Sequence, residues 1–257
     1  MILCIDIGNT NIALGVYGED GIVCRARLAT ARERTSDQYT AELCALFNLK
    51  SVSLSELDGV IIGSVVPELT DVIKRTAKAL TGVDALTVGP GLKGGMRIKT
   101  DDPAELGADL YAGAIAAAAK YPLPCLIIDL GTATKISVVN ENGEFDGCAI
   151  AAGVKMSLRS LAGGTSQLPA IDLTKKPILP YGKNTTDSML AGIVGGTACM
   201  IDGLCEKIVS GLSGGSPSIV ATGGQCRSVL PHLHCKPLYD PDLVLDGLHI
   251  IYLKNRK

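Results

Sequence analysis

The chain has 257 residues, of which 47% are hydrophobic and 19% charged, with 24 basic and 26 acidic side chains. This composition can bury a substantial core, and it lacks the basic excess of proteins that bind nucleic acid or anionic membranes. The opening residues have no signal-peptide pattern, and no uninterrupted apolar run reaches the length of a membrane span. Nine scattered cysteines without a CxxC pair predict reduced thiols rather than disulfides or a zinc site. We therefore expect a cytoplasmic globular protein with neither a nucleic-acid nor a membrane partner.

The first half of the chain alternates predicted strands and helices. Two apolar runs flank the turn Gly8-Asn9-Thr10, which predicts a strand, a turn and a return strand. Thr35-Ser36-Asp37 is typical of a helix cap. Residues 60–66 are mostly apolar, which indicates a buried strand, and Pro67 suits the first turn of a following helix.

The pattern of the first strand and turn restarts after the prolines near Tyr121. Residues 125–129 form an apolar run that ends in Asp129, and a Gly-Thr turn and a second run follow, just as the first run ends in Asp6. The two aspartates are about half the chain apart, whereas solenoid repeats have about 20–50 residues. We therefore predict two copies of one βαβ-type domain, at 1–120 and 121–257.

The turn after Asp6 has the residue types of a phosphate site. A carboxylate at the end of a buried strand is costly unless it is compensated, and a hydrated Mg²⁺ beside a phosphate would compensate it. Gly8 permits close backbone approach, while residues 9–11 offer amide and hydroxyl donors to phosphate oxygens. The alternative is an ordinary hairpin, because Gly-Asn-Thr is common in turns.

The second copy of this motif, at 129–134, favours phosphate binding over a chance hairpin. Two such turns in facing domains would hold a polyphosphate, which resembles the arrangement in the acetate kinase, sugar kinase and actin superfamily. Gly223-Gly224 ends a further apolar strand, where a base or ribose could lie against bare backbone. That pair could equally be a strand-to-helix turn.

Asp109 opens a predicted Ala-rich helix in the small-residue setting Gly107-Ala108. A carboxylate there is ordinarily a cap or a partner of the helix dipole. A kinase of this fold also needs a base that accepts a hydroxyl proton. Asp109 is the natural candidate for that base.

Taken together, these motifs resemble the type III pantothenate kinases along nearly the whole chain. That family phosphorylates pantothenate with ATP, the first step of coenzyme A biosynthesis. The resemblance implies an α/β fold of two tandem duplicated actin-like ATPase (ribonuclease H-like) domains with a cleft between them. The segments that carry it are DIGNTNIALGVY at 6–17, TSDQY at 35–39, GSVVPELT at 63–70, DDPAELGAD at 101–109, DLGTAT at 129–134, GKNTTDSM at 182–189, ATGG at 221–224 and DPDLVLDGL at 240–248.

The resemblance also implies roles for single residues. Asp6 would lie near Mg²⁺ and contact it through water, and Asp129 would lie beside a monovalent cation, potassium or ammonium. Asp109 would accept the proton, and the protein would be a homodimer with the substrate site close to the subunit interface. The implied ATP-binding residues are Asp6, Ile7, Gly8, Asn9, Thr10, Asn11, Ile12, Ala13 and Thr132. The implied pantothenate-binding residues are Gly107, Ala108, Asp109, Leu110 and Thr185.

Three departures from the family pattern bear on these roles. Leu110 stands where the family has Arg, and Thr100 replaces a substrate-contacting Tyr. Loss of the Arg contact with a carboxylate would weaken binding by roughly 1.5–3 kcal/mol. Lys135 stands where the second turn commonly has another Thr.

These departures leave three alternatives open. The first is an enzyme of the same fold that acts on another hydroxyl substrate. The second is a nucleotide-binding regulatory protein without turnover. The third is a phosphatase or nucleotide hydrolase in which Asp109 activates water.

Overall fold

The structure is a computed structural model that describes residues 1–89, 91–173, 178–212 and 215–256. Its contacts divide the chain into two compact units. The first comprises Met1–Met96, Asp101–Ala116 and Leu243–Lys257, and the second comprises Arg97–Thr100 and Ala117–Asp242. Each unit contains one five-stranded sheet within the described residues, which confirms the predicted α/β class.

The elements of the described residues alternate along both units. The strands are β1 (Ile2–Ile7), β2 (Asn11–Gly18), β3 (Gly21–Ala29), β4 (Gly59–Ser64), β5 (Leu86–Thr87), β6 (Cys125–Leu130), β7 (Ala133–Val139), β8 (Phe145–Ala152), β9 (Ser218–Thr222) and β10 (Leu238–Tyr239). The helices are α1 (Ser36–Leu49), α2 (Pro67–Thr81), α3 (Ala108–Lys120), α4 (Val154–Gly163), α5 (Thr185–Leu190), α6 (Gly196–Gly211), α7 (Cys226–Val229) and α8 (Leu243–Asn255), with a π-helical turn (Ala191–Gly195) between α5 and α6.

The two sheets repeat one topology. The first has the order β3-β2-β1-β4-β5, and the second has the matching order β8-β7-β6-β9-β10. In each, the first three strands form an antiparallel meander, and the last two run parallel to the first strand. The sequence repeat around Asp6 and Asp129 is therefore a repeat of whole sheets.

Helices cover both faces of the first sheet. α1 and α2 pack on one face, where Tyr39, Phe47 and Leu69 join the apolar side chains of β1 and β4. α3 and α8 supply a second cluster that includes Ala112 and Leu248. Burial on both faces explains why β1 and β4 are continuous apolar runs.

The predicted helix starts agree with the cap geometry. Thr35 accepts from the main-chain N–H of Gln38, and the Gln38 side chain accepts from the N–H of Thr35, which completes a capping box. Pro67 is the first residue of α2. These local signals were sufficient because a cap depends only on neighbouring residues.

One helical run of the second unit was not predicted. Thr185–Gly211 is 27 residues long and contains an 18-residue window with a mean hydropathy of 1.5, so by length and composition it could cross a membrane. Its apolar residues do not form an uninterrupted run in the sequence, because Gly192 and Asp202 lie among them. Its side chains Val194 and Ile201 are buried in the core of the second unit, and core helices of globular proteins pass the same test.

The compact units differ from the predicted division at residues 120 and 121. α8 belongs to the first unit, although it ends the chain. Leu245, Leu248 and Ile251 of α8 are buried in the same cluster as Ile2 and Ile61. The apolar face of α8 thus determines its place, and a boundary drawn from sequence repeats alone could not show this.

Candidate functional site

The turn after β1 presents exposed polar residues beside a strand-end carboxylate. Asp6 is the next-to-last residue of β1, and it pairs with Ala13 of β2 and Gly63 of β4. Residues 9–11 are exposed. The first turn therefore offers amide and hydroxyl groups to a ligand next to Asp6.

Residues just beyond β3 brace this turn. Thr30 Oγ1 donates to the carbonyl oxygen of Gly8 at 2.6 Å, and the Thr30 N–H donates to the carbonyl of Thr10 at 3.1 Å. An Arg32 guanidinium N–H donates to Asn9 Oδ1 at 3.1 Å. Sequence reasoning missed Thr30 and Arg32 because they belong to no motif and lie about twenty positions from the turn.

Two residues of the predicted ATP-binding segment have buried side chains. Ile7 and Ile12 are 0% and 1% exposed, and both belong to the first core. Alternation along a strand turns these side chains inward while neighbouring residues face outward. Only their backbone atoms remain to contact a ligand.

The start of α3 lies at the same sheet edge as the first turn. A Cβ added to Gly63 would lie 3.8 Å from the Cβ of Ala108. Gly63 is the register partner of Asp6. The structure therefore brings the Asp6 turn and Asp109 to one edge of the first sheet, together with the other predicted acceptor-side residues of this unit: Gly107, Ala108 and Leu110.

Gly107 leaves room for the carboxylate of Asp109. A Cβ at Gly107 would lie 2.7 Å from Asp109 Oδ1, so a side chain there would displace this carboxylate. The main-chain N–H of Leu110 donates to the same oxygen at 2.8 Å. The first turn of a helix favours a negative charge, so this carboxylate has a structural role alongside any chemical one.

The second turn repeats the first with a shorter connection. Asp129 is the next-to-last residue of β6, and its parallel partner is Thr222 of β9. The N–H of Gly131 donates to the carbonyl of Ala133 at 3.0 Å. The carbonyl of Thr132 accepts from the N–H of Gly153, the residue before α4, at 3.2 Å.

Gly223 packs its bare backbone against the second turn. Its φ is +100°, and a Cβ there would lie 2.6 Å from the carbonyl oxygen of Leu130 and 2.7 Å from Asp129 Oδ1. The segment also connects β9 to α7, so it is a strand-to-helix turn as well. Glycine is required here both for the backbone torsion and for the close approach.

An ion pair occupies the Asp129 carboxylate. Lys135 lies directly opposite Asp129 on β7, and its Nζ is 2.7 Å from Asp129 Oδ2. The two side chains are 14% and 18% exposed. Because the ammonium already holds this oxygen, the residues present do not fit a potassium or ammonium ion there.

Thr185 of the second unit is the first residue of α5. Its side chain is exposed. The preceding Asn184 caps the helix by accepting from the N–H of Asp187 at 2.9 Å. The GKNTTDSM segment therefore supplies a well-formed helix start with an exposed hydroxyl.

Two buried thiols of the second unit, Cys125 at the start of β6 and Cys226 at the start of α7, are poor nucleophiles. Burial raises the pKa of Cys125 and of Cys226 to about 12, and the Asp129 carboxylate adds to the shift at Cys226. A thiol with such a pKa stays protonated at neutral pH. The cysteines of the described residues are free.

Solved structures similar to this chain have the same two-sheet architecture at low sequence identity. A structure described as a conserved Baf family transcriptional activator from Campylobacter jejuni has a TM-score of 0.62, with 17% identity and 98% of both chains covered. The activator of 2-hydroxyisocaproyl-CoA dehydratase from Clostridium difficile, solved with bound ADPNP, has a TM-score of 0.60 with 13% identity, covering 99% of this chain and 94% of that one. These likenesses establish the actin-like ATPase fold.

Sequence comparison identifies the family. The model of the type III pantothenate kinases matches residues 2–207. The type III pantothenate kinase of Geobacter sulfurreducens is 39% identical over 257 residues, covering 100% of both chains. That of Moorella thermoacetica is 37% identical over 255 residues, covering 99% of this chain and 100% of the relative. The chain therefore belongs to the type III pantothenate kinase family.

Proposed function

We propose that this protein transfers the γ-phosphoryl group of ATP to the hydroxyl of pantothenate, the first step of coenzyme A biosynthesis. The observation that carries the proposal is the meeting of the Asp6 turn and Asp109 at one edge of the first sheet. Phosphoryl transfer to an alcohol requires a turn that binds the phosphates and a carboxylate that accepts the hydroxyl proton.

The two turns are assigned to the phosphates of ATP. Residues 9–11 of the first turn and Thr132 of the second offer amide and hydroxyl groups, which neutralise charge on phosphate oxygens. The brace by Thr30 and Arg32 holds the first turn in place before ATP binds. Such preorganisation lowers the cost of ordering the loop around its ligand.

The cofactor of the first turn is Mg²⁺. Among the described residues, no group of three or more His, Cys, Asp or Glu side chains could hold a metal ion. Mg²⁺ in kinases is held by one or two carboxylates, by phosphates and by retained water, so the single carboxylate of Asp6 fits it. Bound there, the ion would neutralise charge that develops on the phosphoryl oxygens.

Asp109 is proposed to be the base that accepts the proton of the acceptor hydroxyl. Gly107 leaves space beside its carboxylate, and the Leu110 N–H fixes one of its oxygens. We propose that this carboxylate orients the hydroxyl and takes its proton as the phosphoryl group moves in line. Thr185 and residues 107–110 are proposed to contact the acceptor.

Leu110 favours a second candidate, a different hydroxyl acceptor. Leucine offers no donor to the carboxylate of pantothenate, where arginine would offer a fork of donors. An acceptor without a carboxylate would lose nothing from this change. Comparison of pantothenate with its amide or alcohol analogues as acceptors separates the two candidates.

A homodimer in the cytoplasm is part of the proposal. Met156 and Leu161 of α4 are 46% and 37% exposed, and they line one surface pocket with Ile193. A second copy that covers this apolar surface would remove it from water. Light scattering of the purified protein gives the oligomeric state directly.

The deciding experiment measures ADP release from ATP and Mg²⁺ with and without pantothenate. Pantothenate-dependent release supports the proposed activity, and the product is identified by its mass. Release without an acceptor would indicate a hydrolase instead. Bound ATP without release in either condition would indicate a regulatory protein.

A further inference from the structure

Asp129 has a counterion that belongs to the chain itself. The Lys135 ammonium lies 2.7 Å from Asp129 Oδ2, a length typical of a charge-assisted hydrogen bond. Both side chains are largely shielded from solvent, with 14% and 18% exposed. The pair is therefore unlike the solvated ion pairs of a protein surface, which water and salt screen.

The hairpin backbone determines this contact. Asp129 and Lys135 are direct partners in the antiparallel register of β6 and β7, so their side chains leave the sheet on the same face. The register thus positions the two side chains as neighbours, so the ammonium can lie beside the carboxylate. The cation is thus part of the second turn before any ligand arrives.

The other carboxylate oxygen is packed by bare backbone. Added Cβ atoms at Gly131 and Gly223 would lie 3.4 Å and 2.7 Å from Asp129 Oδ1. The Lys135 ammonium holds the position beside Oδ2, and a free cation at the same carboxylate would be repelled by this like charge.

The lysine is not a general feature of the repeated hairpin. In the first hairpin the residue opposite Asp6 is Ala13, which carries no charge. The same strand positions thus receive a cation in one copy and a methyl group in the other. The charge at Asp129 is a property of this particular turn.

We propose that the Lys135 ammonium is the fixed monovalent cation of the second phosphate turn, so that ATP binding and turnover do not depend on added potassium or ammonium ions. A lysine ammonium carries a single positive charge and three donors, which suits both the carboxylate and a phosphate oxygen. The inference rests on the proposed function insofar as ATP is the ligand of this turn.

The first test is calorimetric binding of a non-hydrolysable ATP analogue with Mg²⁺, in potassium chloride and in choline chloride of equal ionic strength. For the wild-type protein we expect dissociation constants that agree within about twofold. A value about tenfold lower in potassium chloride would overturn the proposal.

Two variants sharpen this test. Lys135→Thr removes the ammonium and opens the position beside Oδ2, so its binding should be about tenfold tighter in potassium chloride than in choline chloride. Lys135→Arg keeps the charge and should bind equally in both salts. Equal binding by a folded Lys135→Thr protein would contradict the proposal. If that variant does not fold, the wild-type comparison still decides.

Turnover separates this inference from the proposed function. Cation-independent binding without pantothenate-dependent ADP release would refute the proposed acceptor and leave the role of Lys135 intact. Pantothenate-dependent turnover that requires potassium would do the reverse. The same two salts serve for both measurements.

Discussion

The hairpins β1–β2 and β6–β7 are two copies of one motif that differ where charge is concerned. In both, Asp is the next-to-last residue of the first strand, and a turn that begins with glycine follows that strand. In the first copy the partner of Asp6 is Ala13, whereas in the second the partner of Asp129 is Lys135. The second turn is also one residue shorter, since Leu130 pairs with Thr134 but Ile7 pairs with Ile12.

The two hairpins therefore share the position of the carboxylate but not the residue opposite it. A strand-end carboxylate can be compensated by a hydrated ion from solution or by a side chain of the same protein. Ala13 places no charge opposite the first carboxylate. Lys135 gives the second carboxylate a counterion within the chain, so we propose Mg²⁺ at the first turn alone.

The first prediction, with the greatest change in activity, concerns the proposed base Asp109. Asp109→Asn keeps the shape but removes the proton acceptor, and we expect kcat to fall by about 10²–10⁴-fold with little change in ATP affinity. The matched control is Asp102→Asn, because Asp102 is exposed and Asn can also accept from the Ala104 N–H. Wild-type kcat in Asp109→Asn would exclude Asp109 as the base.

The second prediction tests how tightly the second turn is packed. Gly223→Ala should lower the free energy of unfolding by about 3 kcal/mol or more, because φ is +100° and the new Cβ would overlap the Leu130 carbonyl. Gly21→Ala is the control, since Gly21 has φ +117° but nothing within 4 Å of an added Cβ. It should lose only the torsional part, about 1–2 kcal/mol. Equal losses in urea unfolding would show that the close approach does not matter.

Much of this arrangement could be predicted from local sequence. Apolar runs that end in Asp-x-Gly identify both hairpins, and the register then places Lys135 opposite Asp129, because a short turn determines strand pairing. The bracing residue Thr30 could not be predicted, since its contact with Gly8 depends on the length of β3 and on a register shift between Val16 and Tyr17.

The location of α8 was likewise beyond the sequence repeat. Its apolar face packs on the first sheet, although the whole second unit separates α8 from that sheet in the sequence. Long-range packing of this kind depends on which apolar surfaces remain uncovered once the sheets have formed. Neither periodicity nor motif spacing contains that information.

The third prediction compares the two turn glycines directly. A Cβ at Gly8 would lie 3.1 Å from the carbonyl oxygen of Asn11, whereas a Cβ at Gly131 would meet its nearest atom, Asp129 Oδ1, at 3.4 Å. Gly8→Ala should therefore destabilise the protein by about 1 kcal/mol, and Gly131→Ala by less than about 0.5 kcal/mol. Chemical unfolding of both variants measures this difference. A larger loss from Gly131→Ala would mean that the shorter turn is the less tolerant one.

The last and smallest effect is expected from His249 of α8, a titratable residue that contacts the first hairpin. The ring of His249 stacks on Tyr17 of β2 with centroids 4.2 Å apart. Burial lowers the pKa of His249 below its ordinary value, and the Asp246 carboxylate opposes this shift. The unfolded chain therefore takes up a proton at a higher pH than the folded protein does.

The sign of the pH dependence follows from this depressed pKa. Above the ordinary histidine value of about 6.5, both states are neutral and stability is greatest. As the pH falls from there to the folded pKa of His249, the unfolded state binds the extra proton and stability declines; below that pKa the decline from this residue ends. His249→Gln should remove this component of the slope in urea unfolding measured across the window. His234→Gln, at a side chain that is 95% exposed, retains His249 and should keep it. A His249→Gln protein with the wild-type slope would show that His249 does not contribute to the pH dependence of stability.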